Sequence, residues 1–208
     1  VAYTTAGGFL AVAWTDFFQG LLMLGALLLV PALALLAPAN APLPAGHLEL
    51  FSGLTLMGWL SLVAWGLGYV GQPHILARFM ALRCASEARQ ATRIGMGWMI
   101  LSGLGAVALG LLGPRLLPDL ADPETVFIAL TQSLLAPAFA GVILAAILAA
   151  VMSTIDSQLL VASTALAEDV FAVLRPTASA RARLNVGRGA VLLVAATALA
   201  LAQDPNSK

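Results

Sequence analysis

The sequence predicts an all-α integral membrane protein. Two observations carry this. The chain is 61% hydrophobic and only 10% charged, where soluble domains run nearer half apolar and a quarter charged, and its mean hydropathy is +0.96. Its apolar residues also gather into stretches of roughly 20, the length a helix needs to cross a bilayer core of about 30 Å. A formal net charge of zero with no basic tract gives nucleic acid nothing to bind. Cys84 is the single cysteine, which excludes an intrachain disulfide, a cysteine metal cluster and a redox pair. The chain opens on Val1 and trails off through Pro205, Asn206, Ser207 and Lys208 just after an apolar run, and it reads as a piece of something longer.

Taken in order, residues 1–12 are apolar and read as the end of an earlier span. A turn at Trp14-Thr15-Asp16 then leads into a span over 17–37, with Asp16 a candidate helix N-cap. Further spans are expected over 54–79, 94–113, 138–167 and 186–203, all within one transmembrane domain covering 1–208. The run 123–136 is shorter, is flanked by Asp122 and Glu124 and ends at Pro137, so it reads as an external, surface-lying helix. Ser102, Ala106 and Gly110 repeat every four residues along the third span, a pattern of small residues that suits close helix contact but also follows from abundant Ala and Gly. Arg78, Arg83, Arg89 and Arg93 fall between the second and third spans, and Arg175, Arg181, Arg183 and Arg188 between the fourth and fifth. By the positive-inside bias these two Arg-rich loops, 78–93 and 175–188, lie on the cytoplasmic side.

The span over 54–79 undermines itself as a helix. Gly66, Gly68, Gly71 and Pro73 fall within eight positions. Pro73 has no N–H to give the Tyr69 carbonyl, and an interrupted helix survives in lipid only where protein, water or a ligand takes over the freed groups. Trp65 and Tyr69, four apart, share a face beside the gap. Freed carbonyls and two polar-tipped aromatics suit a small zwitterion whose ammonium lies against the rings, as discontinuous helices do in secondary transporters. A proline kink with aromatics packed on neighbouring helices is the rival reading.

A second group is Ala150, Ser153, Thr154 and Ser157. At 100° per residue these fall within one 100° arc, and two hydroxyls with the Ala150 carbonyl offer three oxygens to a small hard cation such as Na⁺. The rival reading has each hydroxyl bonding back to its own turn. Asp156, an ionisable residue deep in a span, is a functional candidate by default and lies about 60° from Ser153, at the edge of that arc. Glu168 and Asp169 read as solvated, and His74 as structural. The sequence carries no metal-binding His pair, no Gly-x-Ser-x-Gly elbow and no glycine-rich phosphate loop, so it predicts no enzyme and no cofactor.

The stretch from Trp65 to Ala81 (WGLGYVGQPHILARFMA) resembles the corresponding stretch of the proline-transporting branch of the sodium:solute symporter family. The blocks from Gly7 to Asp16 (GGFLAVAWTD) and from Ala146 to Thr154 (AILAAVMST) are similar to two family-wide blocks. The resemblance implies a LeuT-like fold of two five-helix inverted repeats behind an additional leading helix. This chain then holds the last helix of repeat one and the first four helices of repeat two. It implies substrate contacts at Trp65, Tyr69 and Pro73, and sodium at Ala150, Ser153 and Thr154. Asp16 matches an acidic residue implicated in cation handling, and with Ser157 and Asp156 it outlines a second cation site. Asp156 departs from the proline-branch pattern, which is not acidic there although many other family members are, and this leaves sodium stoichiometry and proton participation open.

The expected function is sodium-coupled import of L-proline by alternating access, with L-proline, Na⁺ and the lipid bilayer as partners, together with the missing first-repeat helices of the same full-length chain. The alternatives are a symporter for another small solute and the transporter-like membrane domain of a sensor histidine kinase. The other half of each site is expected on the first broken helix of repeat one, which this chain does not contain. The 208 residues alone are therefore expected not to transport, and sodium-dependent proline uptake into vesicles carrying only this chain would overturn that.

Overall fold

A computed structural model describes residues 2–49, 53–69 and 71–203. These residues form helices joined by short connections, without a strand among them: α1 Ala2–Leu36, α2 Leu56–Tyr69, α3 Pro73–Met80, α4 Ala85–Leu116, α5 Val126–Leu134, α6 Pro137–Thr164, α7 Ala172–Leu174 and α8 Ala180–Ala202. A seven-residue π-helical stretch, Ala165–Phe171, carries α6 into α7. Four units are long and apolar enough to cross a membrane: Ala2–Leu36, Ala85–Leu116, Pro137–Leu174 and Ala180–Ala202. The protein is a multi-pass membrane protein.

The segment expected over 54–79 is divided. α2 has 14 residues and α3 has 8. At 1.5 Å per residue that is about 21 Å and about 12 Å, so neither half alone spans a bilayer core of about 30 Å. Val70 lies outside the described residues. Pro73 opens α3 at its first position, where an N–H has no helical use. The Tyr69 carbonyl is not left bare, because the Gln72 N–H donates to it at 3.2 Å and the Gly71 N–H donates to the Gly68 carbonyl at 3.2 Å. α2 buries no residue against the rest of the described chain.

The first helix differs from expectation in two places. Gly8 breaks α1 with φ 56°, ψ −146°, a conformation open in practice to glycine alone. The Trp14-Thr15-Asp16 segment is helix rather than turn. Thr15 spends its hydroxyl on the Ala11 and Val12 carbonyls, each at 3.0 Å, and a threonine bonded back this way does not stop a helix. Asp16 is therefore not an N-cap.

The core sits where α1, α4, α5 and α6 meet: Ala26, Val30 and Ala34, then Leu109, Leu112 and Leu116, Leu130, and Ile143 with Ala146. Between helices in lipid, van der Waals contact and small residues do the holding. The contact face of α4 is Gly105, Leu109, Leu112, Gly113 and Leu116, one position away from the Ser102–Ala106–Gly110 repeat, whose Ala106 and Gly110 are exposed. Gly105 lies against the backbone of Leu27, and a Cβ there would collide with the Leu27 carbonyl. That carbonyl is the one Pro31 deprives of its helical donor. α5 is not surface-lying. Leu130 and Thr131 are fully buried, and the short helix packs on α1, α4 and α6 because Val126, Phe127, Leu130 and Leu134 share one apolar side.

Gly105→Val in the full-length protein is expected to push α1 and α4 apart and to lower stability by about 1–3 kcal/mol, the usual cost of overpacking. A thermal unfolding midpoint equal to that of the parent would show that the contact bears no load.

Candidate functional site

A cleft of about 690 Å³ opens where α3, α4 and α6 face the middle of α1. Its wall includes Asp16, Tyr69, His74, Arg78, Ser153, Thr154 and Ser157. Five residues singled out from the sequence thus meet in one cavity: Tyr69 from the substrate group, Ser153 and Thr154 from the sodium group, and Asp16 and Ser157 from the second cation group. Trp65, Pro73, Ala150 and Asp156 do not line it.

Trp65 and Tyr69 do stand together, with ring centroids 6.0 Å apart and planes 26° from parallel. They form a stacked aromatic shelf at the end of α2, with Trp65 largely exposed and Tyr69 turned to the cleft. Pro73 supplies the turn that separates this shelf from α3.

On α6, Ser153 Oγ donates to the Ala150 carbonyl at 2.9 Å and Thr154 Oγ1 donates to the same carbonyl at 3.0 Å. Three oxygens from one turn are therefore gathered around a single point. Each hydroxyl is bonded back as a hydroxyl in an apolar helix commonly is, so an arriving cation displaces two weak local bonds and moves no backbone. Among the described residues no group of three or more His, Cys, Asp or Glu side chains could hold a metal ion. A cation site on this turn would be built from two hydroxyls and a carbonyl, oxygens that suit a hard cation.

Asp16 on α1 and Ser157 on α6 meet across the helix interface, with Ser157 Oγ 3.2 Å from Asp16 Oδ2 and 2.8 Å from the Ser153 carbonyl. The sequence reading missed the third member. The Arg78 guanidinium, from α3, forms an ion pair with Asp16 Oδ2 and donates to Ser157 Oγ at 2.5 Å. Arg78 read as one arginine of a cytoplasmic loop. The available signal was its position inside the helix that Pro73 starts, five residues on, where it shares a face with His74.

Asp156 faces elsewhere. It is 3% exposed, takes a hydrogen bond from Thr4 Oγ1 at 2.9 Å on one carboxylate oxygen, and is bonded by the Tyr3 hydroxyl on the other. Tyr3 and Thr4 precede the Gly8 break, and the break is what swings this first turn of α1 onto the buried side of α6. Geometry thus separates Asp156 from Asp16 and Ser157, with which the sequence grouped it.

The profile of the sodium:solute symporter family matches residues 1–42 and 50–208. The chain is 47% identical over 220 residues to the high-affinity proline transporter PutP of Bacillus subtilis (strain 168), covering 100% of this chain and 46% of that protein. It is 46% identical over 221 residues to sodium/proline symporter 2 of Staphylococcus saprophyticus, covering 99% of this chain and 43% of that protein. It is 45% identical over 221 residues to the sodium/proline symporter of Staphylococcus aureus (strain NCTC 8325 / PS 47), again covering 99% and 43%. The chain thus spans less than half the length of these curated relatives. No solved structure matches.

Asp156→Ala in the full-length protein removes the acceptor of the Tyr3 and Thr4 hydroxyls, and it is expected to cost about 1–3 kcal/mol of stability. Asp156→Asn keeps an acceptor and is expected to cost less, with the sodium concentration for half-maximal uptake within twofold of the parent. A large rise in that sodium requirement with unchanged thermal stability would place Asp156 in a cation site after all.

Proposed function

The chain belongs to the sodium:solute symporter family, and on that premise we propose that the protein it is part of imports L-proline into a bacterial cell together with sodium. The observation that carries this reading is the cleft. One cavity is lined by the polar tip of Tyr69 at a helix break and by the Ser153 and Thr154 hydroxyls on the facing helix. Substrate and coupling ion influence one another when both favour the same conformation, and a broken helix beside a hydroxyl-bearing helix in one cavity allows this.

In this reading Trp65 and Tyr69 offer their ring faces to the secondary ammonium of proline, and Pro73 holds the helix open beside them. Sodium, as cargo, is held by the Ala150 carbonyl and the Ser153 and Thr154 hydroxyls, which already lie 2.9 Å and 3.0 Å from that carbonyl. The remaining ligands come from helices of the first repeat, beyond this chain. Sodium binding favours the outward-open state that accepts proline, and inward rocking then releases both. In this reading the arginine-rich segments 78–93 and 175–188 face the cytoplasm, apart from Arg78, which turns into the cleft. The relatives whose names mention sodium and proline support this choice of substrate and ion over another small solute.

Radiolabelled proline uptake by the complete protein, with and without a sodium gradient, tests the reading. Uptake that ignores the gradient ends it, and sodium-driven uptake of a different small solute keeps the coupling and replaces the substrate. Ser153→Ala and Thr154→Ala are each expected to raise the sodium concentration for half-maximal uptake by about tenfold, the loss of one hydrogen-bond-sized contact of ~1.4 kcal/mol. The proline requirement at saturating sodium stays within about twofold. Equal losses in both, with normal folding, would assign the two hydroxyls a structural role.

A further inference from the structure

Asp16 and Ser157 make the kind of place an alkali ion seeks: a carboxylate oxygen and a hydroxyl oxygen 3.2 Å apart, half sheltered between two helices. A hard cation is held by such oxygens through their charge and their lone pairs. In this structure both are already engaged. The guanidinium of Arg78 pairs with Asp16 Oδ2 and donates to the Ser157 lone pair at 2.5 Å. The other carboxylate oxygen, Asp16 Oδ1, is buried and without a partner, so the oxygen facing the cleft is the one that Arg78 covers. Asp16 is 12% exposed and Arg78 52%: the acid is fixed in the wall, and the arginine reaches it from the half-helix behind Pro73.

We infer that Arg78 is the second cation of this transporter. A positive charge tethered by the chain itself fills the Asp16–Ser157 site, so that site does not exchange ions with the solvent, and the Ala150–Ser153–Thr154 turn is left as the exchangeable one. The inference rests on the sodium-coupled reading for that one exchangeable ion. The filled Asp16–Ser157 site rests on geometry alone. Any side chain that delivers a positive charge there preserves the arrangement, so lysine substitutes for arginine and a neutral residue does not.

The test counts sodium bound at equilibrium by the purified full-length protein, using sodium-22 at saturating concentration. The parent is compared with Arg78→Gln, Arg78→Lys and the double variant Arg78→Gln/Asp16→Asn. The expected result is one additional bound sodium per protein in Arg78→Gln, and none in Arg78→Lys or the double variant. Because the readout is a difference from the parent, it separates the two ideas. A parent that binds no sodium refutes the symport reading, while a one-ion gain in Arg78→Gln still supports the tethered cation. An Arg78→Gln protein that binds only the parent's number overturns the inference. So does a parent that binds two exchangeable sodium ions, a result that needs no variant to fold. Should Arg78→Gln yield no folded protein, Asp16→Asn decides: a lost ion overturns the inference and an unchanged count supports it.

Discussion

Where water is scarce, a backbone carbonyl that loses its helical donor has to be given another neighbour, and this constraint organises the chain. Three prolines inside or between helices each orphan one carbonyl, and each case is resolved differently. Pro31 frees the Leu27 carbonyl, against which Gly105 of α4 lies. Pro114 frees the Gly110 carbonyl, and His47 answers it, with Nε2 at 3.1 Å donating its ring N–H from the connection after α1. Pro73 frees the Tyr69 carbonyl, which takes the Gln72 N–H in a tight turn. The first solution sets the α1–α4 crossing, and the second pins the connection after α1 to α4. The third divides one crossing into two half-helices with an aromatic shelf at the joint.

The same economy governs charge on α6. Its buried side presents Asp156 to two hydroxyls from the swung first turn of α1. Its cleft side presents Ser153, Thr154 and Ser157. Ser157 directly follows Asp156, and 100° of helical rotation sends them into different environments. Asp156 ties α1 to α6 as an acceptor, while Ser153 and Thr154 bond back to their own turn and only Ser157 on that side reaches other helices. The Gly8 break makes this division possible: a straight α1 could not bring Tyr3 and Thr4 to the back of α6 while Asp16 meets its front.

Composition and segment length were enough to read the class of protein, since both follow from the solvent the chain must satisfy. The break at Pro73 was legible because its cause is local. The Trp65–Tyr69 pair and the Ser153–Thr154 pair were legible too, each being a spacing along a single helix. What depends on which faces turn toward one another was not. The small-residue repeat was read one position away from Gly105, because spacing alone does not say which row faces Leu27. Asp16 was read at a helix boundary because a polar triplet in an apolar run looks like an edge, yet Thr15 satisfies itself and Asp16 is satisfied from another helix. Arg78 was counted with the cytoplasmic arginines, since charge counting treats every arginine as solvated. Its real partner lies 62 positions earlier, a separation no local pattern reports. The run 123–136 looked external for want of length, and only its packing shows that Leu130 and Thr131 are buried.

A carrier makes one passage loaded and the other empty, and the empty passage is where an acid in the cleft does harm. A charge crossing the full membrane potential is worth about 2.3 kcal/mol per 100 mV. With an exchangeable ion at Asp16, the loaded carrier would move two positive charges balanced in part by the acid, and the empty carrier would return with a bare carboxylate. With Arg78 in that place the Asp16 site is neutral on both passages. Proline is a zwitterion, so under the proposed symport the loaded cleft would carry the single positive charge of a sodium at Ser153 and Thr154, and the empty cleft none. The potential drives the loaded step and leaves the return unopposed. Under the proposed symport the protein would forgo the concentrating power of a second ion and gain a return step that does not wait for one. Arg78 stands on the half-helix that Pro73 separates from the Trp65–Tyr69 shelf, so its charge reaches Asp16 from the far side of the break.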